Sequence, residues 1–136
     1  MTDRLIVKID EEPVIERGNG IETTLLIGRE RCDAKVTSGI TSFPAGTDVP
    51  VHQHNCDEQV VVLVGEADVE IEGKRTAVRP MDTIYIAAGR WHRFVNTGSG
   101  RMKILWIYDS PEVTRTFKDS GKTVGHLSGA DVVTRT

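Results

Sequence analysis

Two histidines and a glutamate follow one another closely in the sequence, at a spacing that suits metal binding. His52 and His54 are two residues apart, and Glu58 follows four residues later, after a short polar segment. Side chains alternate between faces along a strand, so the two imidazoles point the same way if this segment is extended. Two imidazoles and a carboxylate that converge on one point form a usable half-site for a divalent metal.

Glycines bracket this segment and extend the pattern. Gly46 precedes it and Gly65 follows it, so the order is glycine, five residues, His-x-His, three residues, glutamate, six residues, glycine. A polar residue at a strand end would explain any one of the histidines. With ordinary glycine and histidine usage, however, chance produces the whole pattern on the order of once in a few million registers. We therefore interpret residues 46–65 as a metal-binding motif.

This motif resembles the first conserved motif of the cupin superfamily, and residues 81–96 resemble the second. In the second motif, Gly89, His92 and Asn96 stand at the family's positions. The family's first glycine and its proline are replaced by Met81 and Ala87, two changes that affect the stiffness of the turn and leave the histidine in place.

The resemblance covers about residues 40–108, and what it implies about the site is specific. It implies one divalent metal ion per chain, with positions left open for water or substrate, held by His52, His54, Glu58 and His92. A set of three nitrogens and one oxygen discriminates poorly among Fe, Mn, Ni, Cu and Zn, so the metal is left open.

Short apolar and alternating segments, separated by glycine and proline turns, predict an all-β protein. The resemblance narrows this to a double-stranded β-helix, the jelly-roll barrel of the cupins, with six to ten strands. Residues 1–110 are predicted to form one barrel domain, and residues 111–136 a polar C-terminal arm that can lie on a partner subunit. Strands are predicted at residues 5–9, 21–27, 34–43, 58–64, 66–72, 76–79, 83–87, 92–96 and 102–108.

Several side chains near the motifs have less certain roles. Cys56 is interpreted as an incidental small residue, although a thiol so near a redox metal could be oxidised. Arg90 and Arg93 are expected to be solvated surface charges, and Arg90 has the alternative of reaching a substrate carboxylate at the barrel mouth. His126, outside both motifs, is expected to be exposed, and residues 29–33 to form a charged loop.

The barrel interior is expected to be mostly apolar. Tyr85, Trp106 and Tyr108 are predicted to lie in the core or to line the pocket. The predicted inward-facing residues are Val60, Val62, Val64, Val69, Ile71, Phe94, Ile104 and Trp106. Such a pocket favours an organic substrate with an apolar body and an oxygen-bearing head, such as an oxo acid or a phenol.

Composition excludes several classes of partner. The net charge of −3 argues against nucleic acid or an anionic membrane surface. The longest apolar runs are too short to span a bilayer, and the first eight residues contain no secretory signal, so a cytoplasmic protein is expected. Only Cys32 and Cys56 are present, too few for a disulfide framework.

These observations leave the reaction open. The first hypothesis is a metal-dependent enzyme, with oxygenase chemistry favoured over an isomerase, a decarboxylase or a lyase. The second is a non-enzymatic module that binds or senses a small metabolite. A homodimer is predicted, because Val61 and Leu63, like Leu105 and Ile107, are apolar on the face opposite the core.

Overall fold

The computed structural model describes residues 5–128 and residue 131. A 3₁₀ turn (Ile9–Glu11) and one helical turn, α1 (Arg29–Cys32), are its only helical elements within those residues. The strands are β1 (Ile15–Gly18), β2 (Ile21–Ile27), β3 (Thr37–Phe43), β4 (His52–His54), β5 (Glu58–Val64), β6 (Ala67–Ile71), β7 (Lys74–Val78), β8 (Thr83–Ile86), β9 (His92–Asn96), β10 (Met102–Tyr108), β11 (Thr114–Phe117) and β12 (Thr123–Gly125).

The strands form two six-stranded antiparallel sheets. One sheet has the order β1-β2-β3-β10-β5-β8, and the other β12-β11-β4-β9-β6-β7. Both sheets contribute side chains to one apolar core, which confirms the predicted all-β jelly-roll barrel. The described residues contain twelve strands where six to ten were predicted. No helix in that part of the chain has the length and apolarity needed to cross a membrane.

Strict alternation along β5 and β10 builds the central part of the core. Val60 and Val62 are fully buried and pair with Trp106 and Ile104 on β10. Gly39 on β3 lies beneath the Trp106 ring, where an added Cβ would be 2.4 Å from the ring atom Cζ2. Glycine is therefore required at this position, because any side chain would displace the indole that walls the pocket.

The N-terminal strand prediction is wrong. Residues 5–9 form no strand, and Leu5 and Ile6 are exposed. The acidic cluster that follows turns the chain, and the sheet edge is instead occupied by β1, which pairs with β2. The charged segment 29–33, predicted as a loop, contains α1, and Asp33 ends it in the left-handed region at φ 53°.

Residues 111–136, predicted as an arm, contain two strands of the second sheet. Strand β11 pairs with β4 on one side and β12 on the other, so this segment completes the sheet of its own barrel. The prediction missed these strands because each is short and rich in polar residues. Residues 129, 130 and 132–136 of the predicted arm lie outside the described residues.

The second motif keeps its geometry despite the two replacements. Met81 adopts φ 77°, the left-handed conformation for which the family's glycine is suited, at a cost of about 1 kcal/mol. The side-chain amide of Asn96 donates to the carbonyls of Phe43, Pro44 and Gly100 at 2.9–3.0 Å. Asn96 thus ties the end of β9 to the segments beside it.

Candidate metal centre

Three histidines converge inside the barrel. His52 and His54 lie two apart on β4 and are both buried, at 4% and 5% exposure, as the alternation of a strand requires. His92, 2% exposed, begins β9 and is the direct cross-strand partner of His52. One potential ligand atom from each lies within 4.8 Å of the other two. The structure thus brings together the three histidines that the two motifs contribute.

Backbone carbonyls fix the tautomer of each ring. Nδ1 of His52 lies 2.7 Å from the carbonyl oxygen of Pro50, and Nδ1 of His92 lies 2.9 Å from that of Arg90. Nδ1 of His54 lies 3.0 Å from the carbonyl oxygen of Thr114 at the start of β11. A carbonyl only accepts, so each Nδ1 carries the proton and each Nε2 presents a lone pair, which in His54 lies 3.2 Å from the Tyr108 hydroxyl. This is how ligating histidines are oriented in metal sites.

Glu58 lies beside these rings at the start of β5. Its Oε1 atom is 3.3 Å from Nε2 of His92 and 3.8 Å from Nε2 of His54, and it has no hydrogen-bond partner. Burial raises the pKa of Glu58, but His92 and His54 outweigh burial and hold the pKa below its usual value. A buried, ionised oxygen that faces imidazole lone pairs fits a bound cation, so the residues present suit a divalent metal.

Burial also keeps His52 and His54 neutral. It lowers the pKa of His54 to about 3, although the attraction of Glu58 opposes this shift. Burial likewise lowers the pKa of His52 well below its usual value, and the charge of Arg115 adds to the effect. Both rings are therefore available as uncharged ligands at neutral pH.

This shift makes the metal-free protein sensitive to acid. Between pH 6.5 and 3 the unfolded His54 binds a proton and the folded one does not, so the free energy of unfolding falls as pH falls. We expect His54 alone to remove about 3 kcal/mol between pH 7 and pH 4. Urea unfolding at both pH values, with a chelator present, measures the loss. His54→Gln should show a smaller loss, and an equal loss in both proteins would contradict the assignment.

An aromatic cluster forms the wall next to His54. The Tyr108 hydroxyl lies 3.2 Å from Nε2 of His54, and burial raises the pKa of Tyr108 well above its usual value, so the phenol stays protonated. Trp106 is buried and donates its indole N–H to Thr41 Oγ1 at 2.8 Å. The predictions that Trp106 and Tyr108 line the core are confirmed.

The prediction that His126 is exposed is wrong. Its ring is half-buried and packs edge-on against Trp106 and Tyr108, with centroids 5.0 and 5.1 Å apart. Its centroid lies 6.2 Å from that of His54. No motif surrounds His126, and only its place directly after the short strand β12 could have suggested a role.

Two spaces meet at His126. An internal cavity of about 40 Å³ is bordered by Glu58, His92, Trp106 and His126, among others. A wider cleft of about 880 Å³ lies outside it, between α1, the 111–113 segment and the chain after β12. Because His126 lines both spaces, its ring stands between the cleft and the candidate metal centre.

Sequence reasoning also missed two buried arginines. Arg17 on β1 and Arg115 on β11 are 3% and 5% exposed and line the same internal cavity. Arg115 is the cross-strand partner of His54, so its side chain lies on the inner face beside that ring. Its position follows from the pairing of β11 with β4, which the polar sequence of β11 did not indicate.

The remaining candidates near the motifs are peripheral. Cys56 is buried, and burial raises its pKa to about 12, so it is a neutral thiol rather than a ligand or nucleophile. The Arg90 side chain is exposed. Arg93, expected to be solvated, is half-buried and forms ion pairs with Asp48 and Glu70.

Two predicted inward residues face outward. Tyr85 is 66% exposed, because it pairs with Gln59 on the outer face of β5, and its hydroxyl donates to Asp57. Val64 is 46% exposed, because it lies at the end of β5, where the register with β10 shifts next to Lys103. The other predicted inward residues are buried or, in the case of Ile71, half-buried.

Comparison with known proteins agrees with this architecture. Residues 39–108 match the family model of the cupin domain. A curated relative, auxin-binding protein 1 of Arabidopsis thaliana, is 29% identical over 84 residues; the match covers 54% of this chain and 42% of the relative. The chain thus spans less than half the length of that relative.

Solved structures share the fold at low sequence identity. The polyketide cyclase RemF from Streptomyces resistomycificus has a TM-score of 0.71 at 18% identity, over 94% of this chain and 89% of that one. A sugar phosphate isomerase of the cupin superfamily from Silicibacter pomeroyi has a TM-score of 0.70 at 17% identity, over 95% and 96%.

Proposed function

The chain belongs to the cupin domain family, and on that premise we propose that it is a divalent-metal-dependent enzyme acting on a small organic molecule. His52, His54 and His92 would hold the ion through their Nε2 atoms, and Glu58 would supply the fourth ligand. When bound, the ion would polarise a substrate oxygen or lower the pKa of a bound water.

One observation carries this proposal: of the histidine Nε2 atoms and the Glu58 Oε1 atom that converge at the centre, only Nε2 of His54 has a donor among the described residues, the Tyr108 hydroxyl at 3.2 Å. Nε2 of His52 and of His92 have no donor among the described residues, and the buried Oε1 of Glu58 has none either. Without a cation, each of these buried groups loses its hydration and gains no interaction that compensates for the loss. A divalent ion satisfies all of them at once.

The inner wall supports an organic substrate. Phe94, Ile104 and Trp106 present apolar surface to the cavity, while the protonated Tyr108 hydroxyl can donate to a substrate oxygen. We favour oxygenase-type chemistry on an oxo acid or a phenol. An isomerase, a decarboxylase or a lyase would use the same ligands. The structural neighbours share the fold, and a shared fold does not distinguish among these reactions.

Reconstitution tests the proposal. Metal-free protein is supplied with Fe²⁺, Mn²⁺, Cu²⁺ or Zn²⁺ in turn and incubated with a panel of oxo acids and phenols. Oxygen consumption and product formation are followed together. We expect turnover with at least one metal and its loss when a chelator is added. Absence of turnover with every metal would contradict the enzymatic function.

A second candidate is non-enzymatic binding of a small metabolite. One relative is named as a binding protein. For this candidate, calorimetry would show tight ligand binding in the same preparations that show no turnover with any metal.

We also propose that the protein is a homodimer through the outer face of its first sheet. Leu105 pairs with Ile40 on one side and Val61 on the other, which makes a half-buried apolar strip across three strands. Light scattering at micromolar concentration should give about twice the 15.0 kDa chain mass. Leu105→Lys should give the monomer, whereas Ala77→Lys, on exposed β7, should not. A wild-type monomer would contradict this proposal.

A further inference from the structure

Two buried arginines share one carboxylate inside the barrel. Nη2 of Arg17 lies 3.0 Å from Oδ2 of Asp131, and Nε of Arg115 lies 3.0 Å from Oδ1 of the same residue. Asp131 is itself 2% exposed. We call Arg17 and Arg115 the arginine pair.

The contact between the arginine pair and Asp131 is close but poorly directed. Nη2 of Arg17, Nε of Arg115 and Oδ1 of Asp131 form no hydrogen bond, although all three atoms are buried. The Arg115 side chain makes no hydrogen bond to any described residue, and the Arg17 side chain donates one to Thr23 Oγ1 and one to the Asp131 carbonyl. Several guanidinium donors are therefore left for a better-placed acceptor.

The arginine pair belongs to the same space as the candidate metal centre. Both guanidiniums line the internal cavity together with His52, Glu58 and His92. Cross-strand pairing places Arg115 next to His54 on the inner face of the second sheet. A small molecule held by the arginine pair would therefore lie beside the three histidines.

Charge counting favours a negatively charged ligand there. Apart from the histidines, the buried side chains of charged types in the described part of the chain are Arg17, Arg115, Glu58 and Asp131, whose formal charges sum to zero. A divalent ion among the histidines would leave an excess of two positive charges in a buried space. Such an excess is costly unless an anion enters with the ion.

The volume of the internal cavity limits which ligands can bind beside the arginine pair. With Asp131 in place, the cavity of about 40 Å³ cannot hold an organic anion. The Asp131 carboxylate occupies the position between the two guanidiniums that a ligand carboxylate would take. When Asp131 leaves the arginine pair, it therefore frees both the space and the two guanidiniums that such a ligand needs.

We propose that the arginine pair is the carboxylate-binding subsite of this pocket, and that Asp131 occupies it as an internal competitor until a small carboxylate, such as an oxo acid, displaces it. This inference rests on the proposed function, because it names the substrate class of the same site.

The probes are pyruvate and its neutral amide, pyruvamide, titrated by calorimetry into metal-free and Zn²⁺-loaded full-length protein. Asp131→Asn removes the competing charge and should tighten pyruvate binding about tenfold, with pyruvamide unaffected. Asp119→Asn, an exposed acid with the same charge change, should leave the wild-type affinity unchanged. Adding Arg115→Gln to Asp131→Asn should weaken pyruvate binding at least about tenfold.

If Asp131 only anchors the chain, Asp131→Asn will lower the unfolding temperature and leave pyruvate affinity unchanged, which overturns the inference. Should that variant fail to fold, carboxyl-carbon NMR of the wild type decides: the Asp131 resonance must move with pyruvate and not with pyruvamide, and a resonance that responds to neither overturns it. Metal content, measured separately, keeps the two proposals apart. Pyruvate binding that depends on Asp131 in protein that takes up no metal would contradict the metal site and support the subsite.

Discussion

Replacing His52 and His54 together with alanine should lower the bound metal from about one ion per chain to less than a tenth of that. Two of the three convergent imidazoles are then gone, and one histidine with one carboxylate binds a divalent ion too weakly to survive purification. Elemental analysis of protein prepared without a histidine tag measures the content directly. In the metal-loaded wild type, Nε2 atoms should lie roughly 2.0–2.2 Å from the ion.

The matched control is His126→Ala. This ring packs within 6.2 Å of His54 but lies outside the convergent group, so its removal should leave metal content unchanged. Circular dichroism shows whether each variant keeps its β structure. Equal metal content in the wild type and the double variant would overturn the assignment of the centre.

The second large effect is expected for Glu58→Gln. The amide keeps the shape of the side chain and removes the charge, so metal affinity should fall about tenfold. With metal held in excess, kcat for the best substrate of the panel should fall about 100-fold with little change in KM. An interaction made mainly in the transition state is lost in kcat, whereas uniform binding is lost in KM.

Asp57→Asn serves as the control for Glu58→Gln. It makes the same chemical change one residue earlier, where the side chain faces outward to Tyr85 and the Ala88 amide. Its kcat should stay within about twofold of the wild type. A Glu58→Gln protein that keeps full turnover would show that the carboxylate takes no part in the chemistry. If no protein shows turnover and Glu58→Gln leaves tight ligand binding unchanged, the result favours the non-enzymatic binding module.

Local periodicity explains why the histidines could be predicted. His52 and His54 lie on one face because a strand alternates, whatever the rest of the chain does. The same rule placed Val60 and Val62 in the core. The alternating strands and the spacing of turns were enough to predict the all-β class, and the two motifs were enough to predict the barrel.

Long-range pairing explains what was missed. Arg115 lies beside His54 only because β11 pairs with β4, and Arg17 enters the interior only because β1 extends the first sheet. Neither strand has a strong apolar alternation, so their pairing is decided by the completed barrel. The prediction for Tyr85 was wrong for a related reason. The face toward which an aromatic side chain on a strand points is not known until the register of that strand is known.

The pairing of β4 has a consequence for the order in which the centre is assembled during synthesis. This three-residue strand joins its sheet through one residue pair with β9 and three pairs with β11, and the Nδ1 partner of His54 is the carbonyl of Thr114. As the chain leaves the ribosome, His52 and His92 can meet once β9 has emerged, but His54 waits for β11. A nascent chain therefore presents an incomplete centre, and the full set of ligands that we propose for the ion comes together only when the barrel closes.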